Sequence, residues 1–129
     1  MCDLMFSWFG KTVAAASYGS AMMHLLKHRY NKSRILFERA GRFDKKMKYD
    51  QGFNIMLGYV RVKCGDAKAA REPFEAGLEM YVNKPTTDIK LRKWWGDCLV
   101  EYVHIIESDG ESEKAQMTLK QIDEIRNVI

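Results

Sequence analysis

Two histidines four residues apart, His24 and His28, are the pair in this chain whose types and spacing come closest to a metal site. Side chains four apart on a helix share one face, which is one way in which two imidazoles bind a single Zn²⁺. A carboxylate or thiol at helical spacing would have to complete the ligand set, and the sequence places none there. We therefore predict packed or surface histidines and no bound metal.

The other reactive residues form no catalytic pattern. His104 stands alone, and the sequence contains neither a nucleophile elbow nor a glycine-rich phosphate loop. Cys2, Cys64 and Cys98 are odd in number and lack paired spacing, which disfavours a disulfide framework and a zinc module. The sequence predicts a protein that is not an enzyme, needs no cofactor and works in a reducing, cytoplasmic setting.

The elements that must position these residues are amphipathic helices. Between Gln51 and Tyr81, small or apolar residues recur at helical spacing on both sides of Gly65. A pair of helices of this size cannot bury both apolar stripes alone, so it must stack on similar units. No long stretch alternates with period two, and only two prolines occur. An all-α fold in one domain is therefore predicted.

A triad of a small, a large and then a small or apolar residue occurs three times at helical spacing. The triads are Ser33, Phe37 and Ala40; Ala70, Phe74 and Gly77; and, more weakly, Ala115, Leu119 and Ile122. Corresponding members of the first two triads are 37 residues apart. This spacing is typical of paired helices that come close at the small residues and lock at the bulky one.

Leu57-Gly58, the turn residue Gly65 and the triad Ala70, Phe74 and Gly77 together resemble the tetratricopeptide repeat (TPR) family. The resemblance covers residues 14–129 as three degenerate repeats. It implies antiparallel hairpins at about 14–43, 48–83 and 88–127, stacked as a short right-handed TPR-like superhelix. Residues 1–13 then form an apolar leading segment or cap.

Some positions depart from the family pattern. The tyrosine expected three residues after Gly58 is Arg61, and the first turn carries His28 instead of glycine. Pro73 lies within a predicted helix, where it removes a backbone donor, and we expect a kink there. Gly96 precedes Gly110 by 14 residues rather than seven, so the first helix of the third hairpin should be about two turns longer.

In the TPR family, the first helices of successive hairpins line a concave groove, so the resemblance implies a partner-binding surface. The implied groove residues are Tyr18, Met22, Leu25, Ile55, Tyr59, Val62, Lys63, Lys90, Lys93, Asp97 and Val100. Such a surface is apolar at one end and charged at the other, which suits an amphipathic helix of a partner. The family's clamp for peptide carboxylates is matched only at Lys90, and capture of chaperone tails is not expected.

Charge is distributed unevenly along the chain. Residues 1–64 carry +8 and residues 65–129 carry −4, which sum to +4. The basic patch of the first half is Lys27, Arg29, Lys32, Arg34, Arg39, Arg42, Lys45, Lys46 and Lys48. This polarity favours an acidic partner or head-to-tail contact between copies, and a solvated helix face is the alternative. Few aromatic residues interleave with the cations, which disfavours nucleic acid as a partner.

The N-terminal stretch from Leu4 to Leu26 contains a single charge, Lys11. Polar and glycine residues dilute it, which disfavours a membrane span, and Asp3 disfavours a signal peptide. We expect a short leading helix, followed by the first hairpin helix from about Thr12. Two alternatives stay open: an interfacial membrane anchor through Leu4–Phe9, or a segment that folds back into the groove.

The sequence thus predicts a non-catalytic scaffold or adaptor that binds a protein or peptide partner in the groove. The alternative is a structural subunit of a larger, membrane-associated complex, held by its N-terminal segment and basic first hairpin and located at the membrane periphery. Ile122, Ile125, Val128 and Ile129 leave the last helix without a polar cap, so a second copy of the chain is another candidate partner for that face.

Overall fold

The computed structural model describes the backbone from Cys2 to Asn127 and the side chains from Ser7 to Asn127. Within these limits the chain forms six α-helices and one 3₁₀ helix. They are α1 Cys2–Leu26, α2 Tyr30–Phe43, the 3₁₀ helix Lys45–Tyr49, α3 Gln51–Lys63, α4 Ala67–Asn83, α5 Ile89–Ser108 and α6 Ser112–Arg126. No strand occurs between Cys2 and Asn127, so the predicted all-α fold is confirmed.

Helices that follow each other in sequence pack as pairs, α1 with α2, α3 with α4 and α5 with α6. The pairs are joined because α3 also contacts α2 and α5, and α4 contacts both helices of the third pair. Eight of the 13 residues of α3 are buried, so the core of the molecule is centred on this short helix.

The three hairpin turns share one backbone geometry. Their central residues, His28, Gly65 and Gly110, have left-handed φ values of +58°, +83° and +86°. In each turn the N–H of the following residue donates to a carbonyl five residues earlier, with N···O distances of 2.8, 2.9 and 2.9 Å. This pattern is the Schellman motif, in which a left-handed residue ends a helix.

The repeated triads lie inside the hairpins. Ser33 is fully buried, and its hydroxyl donates to the carbonyl of Ala21 at 2.8 Å. Phe74 is also fully buried and packs on Gly58, where an added Cβ would lie 2.7 Å from the ring. Ala21 and Gly58 are 37 residues apart, so the first helices of the two hairpins are approached at equivalent positions, although by different members of the triads.

The third hairpin contains the predicted longer helix. α5 has 20 residues and α3 has 13, and the turn falls at Asp109-Gly110. Arg71 of α4 ties this turn to the central hairpin, since its guanidinium lies 2.6 Å from Asp109 and 2.7 Å from Glu111. These side chains are partly exposed, so the ion pairs position the turn more than they stabilise it.

Helix α4 runs from Ala67 to Asn83 with Pro73 inside it, and the kink expected at Pro73 stays a prediction. Pro73 has no N–H to offer the carbonyl of Ala69 four residues earlier. The guanidinium of Arg61 donates to that carbonyl at 3.0 Å. Arg61 therefore supplies the hydrogen bond that Pro73 cannot donate.

The predicted helix start near Thr12 is wrong, since α1 is continuous from Cys2 to Leu26. Gly10 lets α1 continue along α2, because its backbone lies against the carbonyl of Phe43. The alternative in which the N-terminal segment fills the groove is contradicted at Trp8 and Phe9, which are exposed. The side chains of residues 4–6 and residues 128–129 lie outside the described residues.

Candidate partner-binding surface

Aromatic side chains from three hairpins meet on one side of the molecule. The ring of Tyr18, on α1, stacks on Phe53 of α3 at a centroid distance of 6.3 Å. A Cβ added to Gly52 would lie 2.6 Å from the Trp95 ring of α5 and 3.1 Å from the Tyr18 hydroxyl. Because Gly52 has no side chain, groups from α1 and α5 approach each other over the start of α3.

We call Tyr18, Phe53 and Trp95 the aromatic junction. Tyr18 and Trp95 are half-buried, so each is held by packing and still presents part of its surface. The groove prediction included Tyr18 and omitted the other two. Trp95 could have been found from the small residue Gly52, which signals a close approach by a neighbouring side chain.

A second aromatic contact lies further along α3. The rings of Tyr59 and Tyr30 pack edge to face at a centroid distance of 6.4 Å. The ammonium group of Lys63 lies 5.3 Å from the centre of the Tyr59 ring, within the range of a cation–π contact. Tyr30 is the first residue of α2, and the groove prediction, which considered only first helices of hairpins, missed it.

Burial keeps these side chains uncharged. Burial, with a smaller effect of Asp50, raises the pKa of Tyr18 to about 12. Burial first, and then the nearby thiol of Cys98, raises the pKa of Tyr59 to about 12. Burial likewise raises the pKa of Cys98 to about 12, so its thiol stays protonated and is a poor nucleophile. The surface is therefore suited to packing and hydrogen bonding.

Two predicted groove residues are not accessible. Ile55 is fully buried because it points at α4, where an added Cβ on Gly77 would lie 2.7 Å from its side chain. Leu25 is also buried in the core. Met22, Tyr59 and Val62 are half-buried and remain available in part. The expectation that Leu25 and Ile55 face a partner is thus corrected.

The charged end of the predicted groove divides into two parts. Lys63, Lys90 and Lys93 are exposed, and Val100 is half-buried. Asp97 is exposed as well, and it pairs with Arg126 of α6 at 2.9 Å. Because this ion pair offsets the charge of Asp97, the charges in this set that form no ion pair among the described residues are positive.

The basic patch is largely exposed. Its exposed members are Lys27, Arg29, Lys32, Arg39, Arg42, Lys45, Lys46 and Lys48. Arg34 is half-buried and lies 3.3 Å from Glu38, which is also 3.5 Å from Arg61. Asp44 accepts the backbone N–H of Lys46 at 3.0 Å. Both acidic residues in this segment are thus engaged locally.

The histidines make few polar contacts. His24 is half-buried, and its Nδ1 has no hydrogen-bond partner among the described residues. His28 occupies the first turn, with Nδ1 at 2.8 Å from the hydroxyl of Tyr30. His104 is exposed, with Nδ1 at 3.9 Å from Glu101. No group of three potential metal ligands comes together in the part of the chain that the structure describes.

Comparison with known proteins adds no relative, because no protein-family model, no curated protein and no solved structure matches the chain. The packing, exposure and charge of the described residues are therefore the basis for assigning a function.

Proposed function

We propose that this chain is a small TPR-like scaffold whose three hairpins form a right-handed superhelix and bind a partner protein. The partner segment is an amphipathic helix that lies along α1, α3 and α5. The observation that carries the proposal is the aromatic junction, in which Tyr18, Phe53 and Trp95 of three hairpins meet at Gly52 while Tyr18 and Trp95 stay partly exposed.

Support for the repeat architecture comes from the turns and from the buried triads. Three turns with one hydrogen-bond pattern and one left-handed position are expected if the hairpins follow a common template. Phe37 and Phe74 occupy matching positions, and each packs on an aromatic ring in the first helix of the next hairpin, Phe53 and Tyr102 respectively. Stacked units of this kind bury apolar stripes that no single pair could bury.

The chemistry of the accessible groove residues on α1, α3 and α5 defines the partner. Half-buried Met22, Tyr59 and Val62 offer apolar contact with little loss of side-chain freedom, because packing already holds them. The exposed ammonium groups of Lys63 and Lys90 attract carboxylates. An amphipathic helix with one apolar face and acidic residues on its flanks satisfies both features.

Binding of synthetic helical peptides tests the proposal. Two peptides with the same apolar face, one with acidic and one with basic flanks, are titrated against the protein and followed by fluorescence anisotropy. We expect the acidic peptide to bind more tightly. Tyr59→Ala should weaken it by about 30-fold, as at a central interface residue.

Tyr49→Ala is the matched control, because Tyr49 is an exposed tyrosine on the 3₁₀ helix and lies outside the predicted groove residues. Circular dichroism verifies that both variants keep their helices. Equal binding of the two peptides, or equal effects of the two tyrosine substitutions, contradicts the proposal.

A further inference from the structure

An exposed aromatic cluster lies at the end of the first hairpin that is opposite its turn. Trp8 is 70% exposed, Phe9 is 56% exposed and Phe43 is 46% exposed. Gly10 brings these residues together, since an added Cβ there would lie 2.7 Å from the carbonyl oxygen of Phe43. All three aromatic residues are at most two positions from this contact. We call Trp8, Phe9 and Phe43 the aromatic end.

Cations surround the aromatic end. Lys11, Arg42, Lys45 and Lys46 are exposed, and each lies within three residues of Gly10 or Phe43. The acidic residue in the same segment, Asp44, accepts the N–H of Lys46. Among the described residues within three positions of Gly10 or Phe43, four cations less one carboxylate leave a net charge of +3.

The apolar character continues along the outer side of α1. Met23 and Leu26 are exposed, and the space beside Gly19 is open within 4 Å. α1 is therefore apolar towards α2 and largely apolar on the opposite side. A helix that is apolar all round is normally covered on both sides. We therefore expect a binding partner to cover the exposed side of α1. The cations around this surface indicate the chemistry of that partner.

We propose that the aromatic end docks on the surface of a membrane that contains anionic lipid. Tryptophan and phenylalanine partition to the boundary between headgroups and acyl chains, and nearby lysine and arginine attract anionic headgroups. No helix among the described residues has the length and apolar character needed to cross a bilayer. This activity goes beyond the proposed scaffold function.

Charge argues against a second copy as the occupant. A symmetric dimer through the aromatic end would place two segments of net charge +3 against each other. Juxtaposed like charges oppose association, whereas an anionic surface is attracted to both the cations and the aromatic rings.

Cosedimentation of the full chain with vesicles tests the proposal. We expect binding to vesicles of phosphatidylcholine mixed with phosphatidylserine, much weaker binding to phosphatidylcholine alone, and release at high salt. The double variant Trp8→Ser with Phe43→Ser should reduce partitioning at least about tenfold, because it removes two exposed apolar side chains. Arg42→Gln with Lys45→Gln should reduce it about fivefold for each cation removed.

Two matched controls are available on α6. Met117→Ser removes a side chain that is 68% exposed, and Lys120→Gln removes an exposed cation. Neither should change partitioning. Quenching by brominated lipid adds a local readout, because Trp94 and Trp95 are half-buried and quenching should be lost in Trp8→Phe.

Three results overturn the proposal. One is equal binding to neutral and anionic vesicles, and another is equal partitioning of the double aromatic variant and its Met117 control. The third is self-association without vesicles that the double aromatic variant abolishes, which assigns the aromatic end to a contact between copies. Since the substituted side chains are exposed, circular dichroism should show unchanged helicity in every variant.

Discussion

The first and central hairpins make the same turn with different residues. The central turn places Gly65 in the left-handed region, and Asp66 caps α4 by accepting the N–H of Ala69 at 3.1 Å. The first turn places His28 in that region, and Arg29 makes no side-chain cap to α2. Left-handed backbone is strained for a residue with a Cβ, and a missing cap costs further stability.

Tertiary packing holds the first turn in this geometry. Ser33 and Phe37 are fully buried, and Phe37 packs against Tyr18 and Phe53. From this difference we infer that the buried triad contributes more than the local chemistry of the turn to where the chain reverses.

The largest effect is expected from the bulky members of the two triads. Phe37→Ala and Phe74→Ala should each lower the free energy of unfolding by about 3–5 kcal/mol, since both rings are fully buried. Urea denaturation followed by circular dichroism measures the change. Leu119→Ala, at the matching but half-buried position of the third hairpin, should cost less. A loss below about 1 kcal/mol for Phe37→Ala alone would show that the first hairpin is only loosely attached.

The central hairpin contains Arg61 and Pro73, a combination that the first hairpin lacks. A smaller effect is expected at this pair. Arg61→Ala should lower the free energy of unfolding by about 1–3 kcal/mol, because the Ala69 carbonyl loses its donor. In a Pro73→Ala background the new N–H can bond that carbonyl, so the cost of Arg61→Ala should fall by about 1 kcal/mol.

A double-mutant cycle measured by urea denaturation isolates this coupling. The contact of Arg61 with Glu38 is present in both backgrounds and therefore cancels. Strictly additive costs would mean that Arg61 does not compensate Pro73.

The smallest effect is expected at the turns. His28→Gly should raise the free energy of unfolding by about 1 kcal/mol, and Gly65→His should lower it by about the same amount. The reason is that a positive φ is strained for a residue with a Cβ and is not strained for glycine. Thermal unfolding of the two variants measures both changes. The contact of His28 with Tyr30 is exposed, so its loss should offset little of the gain. A destabilised His28→Gly variant would assign the histidine a packing role.

Patterns within one helix or one hairpin could be predicted from the sequence. Helical periodicity gave the all-α fold, and the small residues of the triads gave the pairing of helices. The seven extra residues between Gly96 and Gly110 predicted the length of α5, because spacing from a turn is a local property.

Contacts between distant segments could not be predicted. The continuity of α1 and the aromatic end both depend on the approach of Gly10 to Phe43, 33 residues later. Ile55 was misplaced because α3 is surrounded by other helices, and its pattern does not show which apolar face is open. Of the candidate site, sequence reasoning found Tyr18 and Tyr59, and it missed Trp95, which reaches the surface from another hairpin.

The extra length of α5 indicates which insertions and deletions this helix can accept. Seven residues advance a helix by almost two full turns and rotate its faces by only about 20°. A block of seven residues added or deleted between Trp95 and Gly110 therefore changes the orientation of Trp95 relative to the turn by only this angle, whereas a block of five would change it by about 140°. Insertions in α5 that preserve the fold are expected to come in heptads, which makes this helix a natural place to lengthen or trim the protein by design.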